Sequence, residues 1–393
     1  MLITTTLSLV LLAPSGLAQQ SALWTELPLR PGGDLAAHLA LEFPSPRPLG
    51  DPVNDRVHAE LFVPLAPAPP PVVVVLHQYA AQGDWLSPLY RRKLNAAGLA
   101  ALLVELPYHF HRLPAGMRTS EVLLQPDVDH LVGILDQAAA DASAAARLVA
   151  GRPEVDGSRV GITGFSLGAM VALIAVARDP QFGAAVSVLG AGDLPTILER
   201  GFITTHVWKR LVADPAARAA AEAKLRAIDP LHASPPPQAP VLFLAARHDR
   251  VIPAAAVQRT IAAFPHAEAL WLNSAHHTAF LSGGALFSAG AAFLRDHLGV
   301  APGTFTPHAI AAFRLQLGLL AHTRGHVGPG AVVGWSGLDP GGSLSLDVGG
   351  GVKGAFVGLS IEPLDDIQVG VGHPILTGES GGLLAYVMGS WSF

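Results

Sequence analysis

Short apolar runs alternate with stretches of helical spacing along most of the chain, and this pattern predicts its elements before any single residue does. Val72 to Leu76 is an unbroken β-branched run of the kind buried on both faces of a parallel sheet, and Leu99 to Leu106 is a second. Between them Pro88 to Ala97 reads as a helix with Arg91, Arg92 and Lys93 outward. The alternation continues with a helix over Val128 to Val149, a strand ending near Phe165 and its following helix, then strands at Ala184 to Leu189, Val241 to Ala245 and Ala269 to Leu272. Phe287 to Leu298 reads as the closing helix. Repeated strand and helix units of this length predict an α/β fold with a doubly wound, mostly parallel sheet. Upstream, His58 to Pro64 is an early strand, preceded from Leu23 by a mixed, Pro-rich stretch and followed by the stiff connector Pro67 to Pro71.

Beyond Leu298 the pattern changes. Residues 299–310 form a Pro/Gly/Thr linker, and residues 311–393 carry few charges, many glycines and alternating patches such as Phe313-x-Leu315-x-Leu317 and Ser343 to Leu346. Five or six antiparallel strands are expected there, a small β-rich C-terminal domain. Val387 and Trp391 stand in phase with Phe393, a terminal strand that resembles those of bacterial outer-membrane barrels. The region holds fewer strands than the roughly eight of the smallest such barrels. A soluble β-sandwich, or a small domain packed on the first, is therefore the leading expectation, and outer-membrane association the other. No period repeats, so a solenoid is not supported.

Composition narrows the classes. An apolar content of 50% with 14% charged residues over 393 residues can bury a large core. A net charge of -5, with no basic run longer than Arg91 to Lys93, gives no reason to expect a nucleic acid partner. The absence of cysteine excludes disulfides, thiolate metal sites and a cysteine nucleophile. Residues 1–18 resemble a cleavable secretory signal, with an apolar run from Leu2 to Leu12 and small residues at Gly16 and Ala18, although no Lys or Arg stands near Met1. The expected location is secreted or periplasmic, with the α/β domain over residues 22–298.

The chemistry centres on Gly164-Phe165-Ser166-Leu167-Gly168, where an apolar strand turns straight into a helix. Such a turn needs small residues on either side, and it presents Ser166 as a nucleophile with the Leu167 amide aimed at the resulting oxyanion. The bland alternative is a merely tight turn. An acid and a base should follow in chain order. Asp249, after the strand at Val241 to Ala245, is the candidate acid, with a helix cap as its bland reading and Asp193 as its rival. His276 is the candidate base because it follows the small Ala275, with His277 as the alternative. The second oxyanion donor is the amide of Tyr79, or less directly that of Gln78, while His77 reads as structural. His109 and His111 are candidate pocket residues and too few to hold a metal, so none is expected. Residues 193–237, with Phe202 and Trp208, form either a cap over the serine, which would put Trp208 in the pocket, or an ordinary crossover.

Leu76-His77-Gln78-Tyr79, the serine turn, His248 to Pro253 and Ala275-His276-His277 occur in one order. On these motifs the chain from Val57 to Leu298 resembles the α/β-hydrolase superfamily, nearest to its dienelactone hydrolase, acetyl xylan esterase and prolyl oligopeptidase-like branch. Gln78 departs from the pattern, standing where a glycine is usual. The resemblance implies a serine mechanism without metal or cofactor: Ser166 attacks a carboxylic ester, His276 carries the proton, Asp249 orients the ring and water clears the acyl-enzyme. A small-molecule, lipid or acyl-sugar ester would be the substrate. Thioester or peptide cleavage remain alternatives, as does a surface binding module on a non-catalytic hydrolase scaffold.

Overall fold

The computed structural model describes residues 22–393 except 80–82, 213, 323–326, 337–343, 352–353, 365–366, 377–383 and 393. The expected leader over residues 1–18 and the terminal Phe393 lie outside the described residues. The chain enters through three antiparallel strands, β1 (Leu23–Glu26), β2 (Leu35–Pro44) and β3 (Arg56–Pro64). The first two fall in the stretch read only as mixed and Pro-rich. Leu39, Leu41 and Phe43 alternate inward along β2, a half-buried period of two that the intervening His38, Ala40 and Glu42 complete on the outer face.

The parallel part follows with β4 (Pro71–Leu76), β5 (Ala100–Val104), β6 (Asp156–Phe165), β7 (Phe182–Val188), β8 (Val241–Ala246) and β9 (Ala267–Leu272). The sheet runs β1-β2-β3-β5-β4-β6-β7-β8-β9, antiparallel as far as β5 and parallel from there on. Every residue of β4 is buried, because both faces are covered. Val72 and Val74 face α3 (Val128–Ala150) and α4 (Leu167–Arg178), whose alanines let the helices lie close, while Val73 and Val75 face α1 (Leu86–Ala96) and α10 (Gly283–His297). In chain order, α2 (Thr119–Leu123) precedes α3, and α5 (Leu194–Arg200), α6 (Thr205–Leu211) and α7 (Pro215–Ile228) lie between β7 and β8. α8 (Ala254–Ala263) and the single turn α9 (His276–Ala279) flank β9.

Arg112 and Asp141 form an ion pair with no exposed surface to speak of, approaching to 2.8 Å without an aligned hydrogen bond between them. Arg112 donates instead to the carbonyls of Asn54 (2.7 Å) and Glu105 (2.9 Å), and Ser45 donates to Asp141 at 2.6 Å. The loop after β5 is thereby pinned to the β2–β3 hairpin and to α3.

A separate antiparallel domain follows: β10 (Phe313–His322), β11 (Val327–Trp335), β12 (Leu344–Gly351), β13 (Gly354–Leu364), β14 (Ile367–Leu376) and β15 (Leu384–Ser392). β15 pairs back onto β10, so the six strands close into a barrel and the expected β-sandwich is overturned. Glycines make so narrow a closure feasible: a Cβ on Gly370 would run into the Tyr386 ring, and one on Gly349 into Phe356. Closure also removes the sheet edges that otherwise need a cover. The connector is packed down rather than loose. Asp296 accepts from the amides of Gly303 (2.9 Å) and Phe305 (2.6 Å), and Ile310 and Ala312 are buried in the same apolar layer as α10.

Replacing Asp141 by Asn leaves a buried guanidinium without its counter-charge and is expected to cost about 3–5 kcal/mol of stability. A shift in the urea midpoint measures this, and the paired variant Arg112→Met/Asp141→Leu should recover most of it.

Candidate active site

β6 passes into α4 at Ser166, which holds φ 49° and ψ -110°, a conformation rare for a residue with a side chain. The crossing is too close for any side chain on its flanks. A Cβ on Gly164 would fall on the backbone of Gly168, and one on Gly168 on the carbonyls of Leu76 and His77. The Ser166 amide donates to the Val188 carbonyl at 2.9 Å, anchoring the turn to the end of β7. Leu167 is the first residue of α4, where backbone amides have no acceptor within the helix and are free for a negatively charged oxygen.

His276 bridges the other two groups. Its Nε2 lies 3.1 Å from Ser166 Oγ and its Nδ1 2.7 Å from Asp249 Oδ2, with both His276 and Asp249 buried. The second Asp249 oxygen accepts from the amides of Val251 (2.8 Å) and Ile252 (2.7 Å), which fixes the carboxylate and leaves one oxygen for the imidazole. With Nδ1–H donating to Asp249, Nε2 is left to accept from the serine hydroxyl. His277 makes no such bridge. Its ring stands edge-on to His276 at 5.2 Å, and burial, with the adjacent imidazole, pushes its pKa down.

Asp193, the rival acid, is engaged elsewhere: it lies in an ion pair with Arg259 on α8 and bonds no histidine among the described residues. The neighbouring carboxylate that organises this loop is Asp229, which accepts from the amides of Asp193 (2.9 Å), Leu194 (2.6 Å) and Leu231 (3.0 Å). Sequence reading passed over Asp229 because its three amides come from two separate loops.

His77 holds the loop that carries Gln78 and Tyr79. Its Nδ1 donates to the Gln78 carbonyl at 2.6 Å, and its Nε2 accepts from the Leu106 amide at 2.9 Å. Acceptance at Nε2 requires a neutral ring, and burial pushes its pKa down to about 4. His109 packs edge-on beneath it at 4.7 Å and bonds the Pro107 carbonyl. The pocket role expected for His109 and His111 is overturned. Positive φ at Tyr108 and Phe110 folds His109 inward under His77, and turns His111 outward to Glu105, 2.7 Å away in a separate groove. Gln78 and Tyr79 do lie beside Ser166.

Residues 57–282, more than half of the chain, match the Dienelactone hydrolase family. The chain belongs to this family. It is thus a hydrolase of the α/β-hydrolase fold. Among solved structures it is similar to acetyl xylan esterase 1 from Thermoanaerobacterium sp. JW/SL YS485, at 19% identity and TM-score 0.55, covering 70% of this chain and 87% of that one. It is similar also to the acetyl xylan esterase from Paenibacillus sp. R4, at 17% identity and TM-score 0.54, covering 69% and 88%. At such identities the likeness is one of fold. No curated protein matches. The barrel begins beyond the residues matched to the family.

In this dienelactone hydrolase family member Ser166 stands between two spaces of opposite character. On one side is a narrow cavity of about 110 Å³, walled by Leu131, Leu135 and Met170 from α3 and α4 and by Ile197, Val207 and Leu225 from α5, α6 and α7. The segment 193–237 therefore lies over the serine. Trp208, expected in the pocket, is buried within the cap instead, its ring under Arg218, because α6 turns Val207 towards the cavity. On the other side is an open vestibule of about 570 Å³, with Gln78, Asp84, Trp85, His276 and His277. Gln78 Oε1 is buried there without a hydrogen-bond partner among the described residues.

An unfolded His77 binds a proton below its ordinary 6.5, whereas the folded one resists until about 4, so acid withdraws stability across that interval. The contribution is about 3 kcal/mol, complete above the upper value and lost at the lower. The urea midpoint should fall between pH 7 and pH 4.5, and fall less in His77→Gln, whose amide can still accept from Leu106. An equal fall in both would remove His77 from the account.

Proposed function

We propose that the protein is a serine ester hydrolase for substrates with an apolar acyl group and a polar alcohol. The observation that carries this is the continuous Ser166–His276–Asp249 hydrogen-bond chain at the mouth of an apolar cavity. Ser166 Oγ attacks the ester carbonyl as His276 Nε2 takes its proton. The tetrahedral oxyanion faces the amides of Leu167 and Tyr79. The alkoxide leaves into the vestibule with the proton returned from His276, and water, activated by the same imidazole, releases the acid. A thioester would follow the same course. The order and contact of the three groups argue against a silent scaffold, since a binding module has no need for an imidazole bridging serine and aspartate.

A fluorophosphonate probe should label the full chain and fail on Ser166→Ala. An unlabelled wild type of native secondary structure would refute the nucleophile.

With p-nitrophenyl esters of increasing acyl length, kcat/KM should rise from acetate by up to roughly fourfold per methylene, the value of about 0.8 kcal/mol per buried methylene, until the cavity is full. Ile197→Phe, with probe labelling intact, should move the optimum to shorter chains; an unmoved optimum would place the acyl group elsewhere.

A further inference from the structure

The barrel inverts the solvent order of the domain before it. Registers on all six strands agree about which residues share a face. The outward rows hold Leu317, Leu319 and Val333, then Leu346, Val348 and Val357, then Leu359, Ile361, Val369, Val371 and Val387, all of them exposed. Among the described residues, fourteen of the twenty-four exposed large apolar side chains belong to these strands. His373 is the one polar side chain among the described outward positions. The inward rows hold Arg314, Gln316, Ser345, Asp347, Ser360 and Gln368, all buried, alongside a smaller apolar group of Leu320, Val332, Phe356, Tyr386 and Met388. Four of the inward groups are bonded to one another: Gln368 donates to Asp347 (2.8 Å) and to Ser360 (2.5 Å), and the Tyr386 hydroxyl donates to Asp347.

We propose that this barrel spans a lipid bilayer, its outer face against hydrocarbon, with the hydrolase seated at its rim. In water a belt of this kind would stand against the ordinary rule of burial. In hydrocarbon both halves of the pattern are satisfied, since apolar side chains meet lipid and polar ones meet each other inside. The closed ladder leaves no strand edge unpaired, the condition for backbone to cross a membrane as strands. The strands run to 8–11 residues, matching the about 9–11 that a tilted strand needs.

The belt also identifies its occupant. A protein partner covers one sector of a cylinder and leaves the rest in water, whereas the apolar rows here occur on every strand. Six strands are fewer than the smallest membrane barrels of about eight, and the interior explains how closure is reached. Gly334, Gly349, Gly358, Gly370 and Gly372 point inward where a Cβ would strike a facing strand or side chain. The inference is independent of the chemistry at Ser166.

The chain contains no cysteine, so a thiol introduced at one position is unique. In the full-length protein, Val348→Cys, Val357→Cys and Val371→Cys place an environment-sensitive fluorophore on three different strands, and Leu65→Cys places it on the exposed hydrolase surface. Reconstituted with dilauroylphosphatidylcholine vesicles, the three barrel probes should shift to the blue and lose most of their emission to acyl-chain spin-labelled lipid, and the Leu65 probe should do neither. The unlabelled wild type should float with the vesicles after an alkaline carbonate wash. Release into the wash would overturn the proposal. So would quenching on one strand alone, or unquenched probes on a soluble assembly in which a second copy covers the belt.

Discussion

The site depends on one steric constraint, the contact between the start of α4 and the end of β4 across Gly168. With no side chain between them, the helix N-terminus presses on the Leu76 and His77 carbonyls. That single approach sets Ser166, the Leu167 amide and the Gln78–Tyr79 loop side by side. The remaining groups are brought to the same edge by the parallel order of the sheet. β8 lies beside β7 and β9 beside β8, and the loops that follow them deliver Asp249 and His276 to the same edge. A side chain at residue 168 would separate the serine from the loop opposite it before any chemistry began.

How much of this was legible in the sequence follows how local each cause is. The serine turn was legible because glycine, serine and glycine must stand within five residues for the backbone to turn there at all. Fold class was legible because strands buried on both faces read as unbroken apolar runs. The first two strands were not, since β2 is half-buried and its alternation is diluted by alanines and a histidine. His109 and His111 were misplaced because their directions rest on positive φ at Tyr108 and Phe110, non-glycine residues that nothing in the sequence marks for it. Trp208 was misplaced for a related reason: a seven-residue helix can turn either face to the serine, and here Trp208 lies on the face packed into the core. The closure of the barrel depends on β10 meeting β15, a pairing between the two ends of the region that no local pattern encodes.

The two domains obey the same physics with opposite outcomes. In the hydrolase, apolar layers lie inside the helices and ion pairs such as Arg178 with Asp136 lie outside. In the barrel, hydrogen-bonded polar side chains lie inside and valine and leucine outside. A continuous chain carries both patterns, and the change occurs within the few residues around Ala312, where inward-facing apolar positions give way to Arg314 and Gln316.

That junction is also where the two domains are fastened. The Ser274 hydroxyl donates to the Phe313 carbonyl at 2.7 Å, two residues before His276, and Asp296 clasps the connector. The connector therefore works as a bracket and not as a tether. With the barrel in a bilayer as proposed, Ser166 would be carried at a set height above that surface, and its supply of substrate would follow a surface density instead of the volume a free domain would sweep.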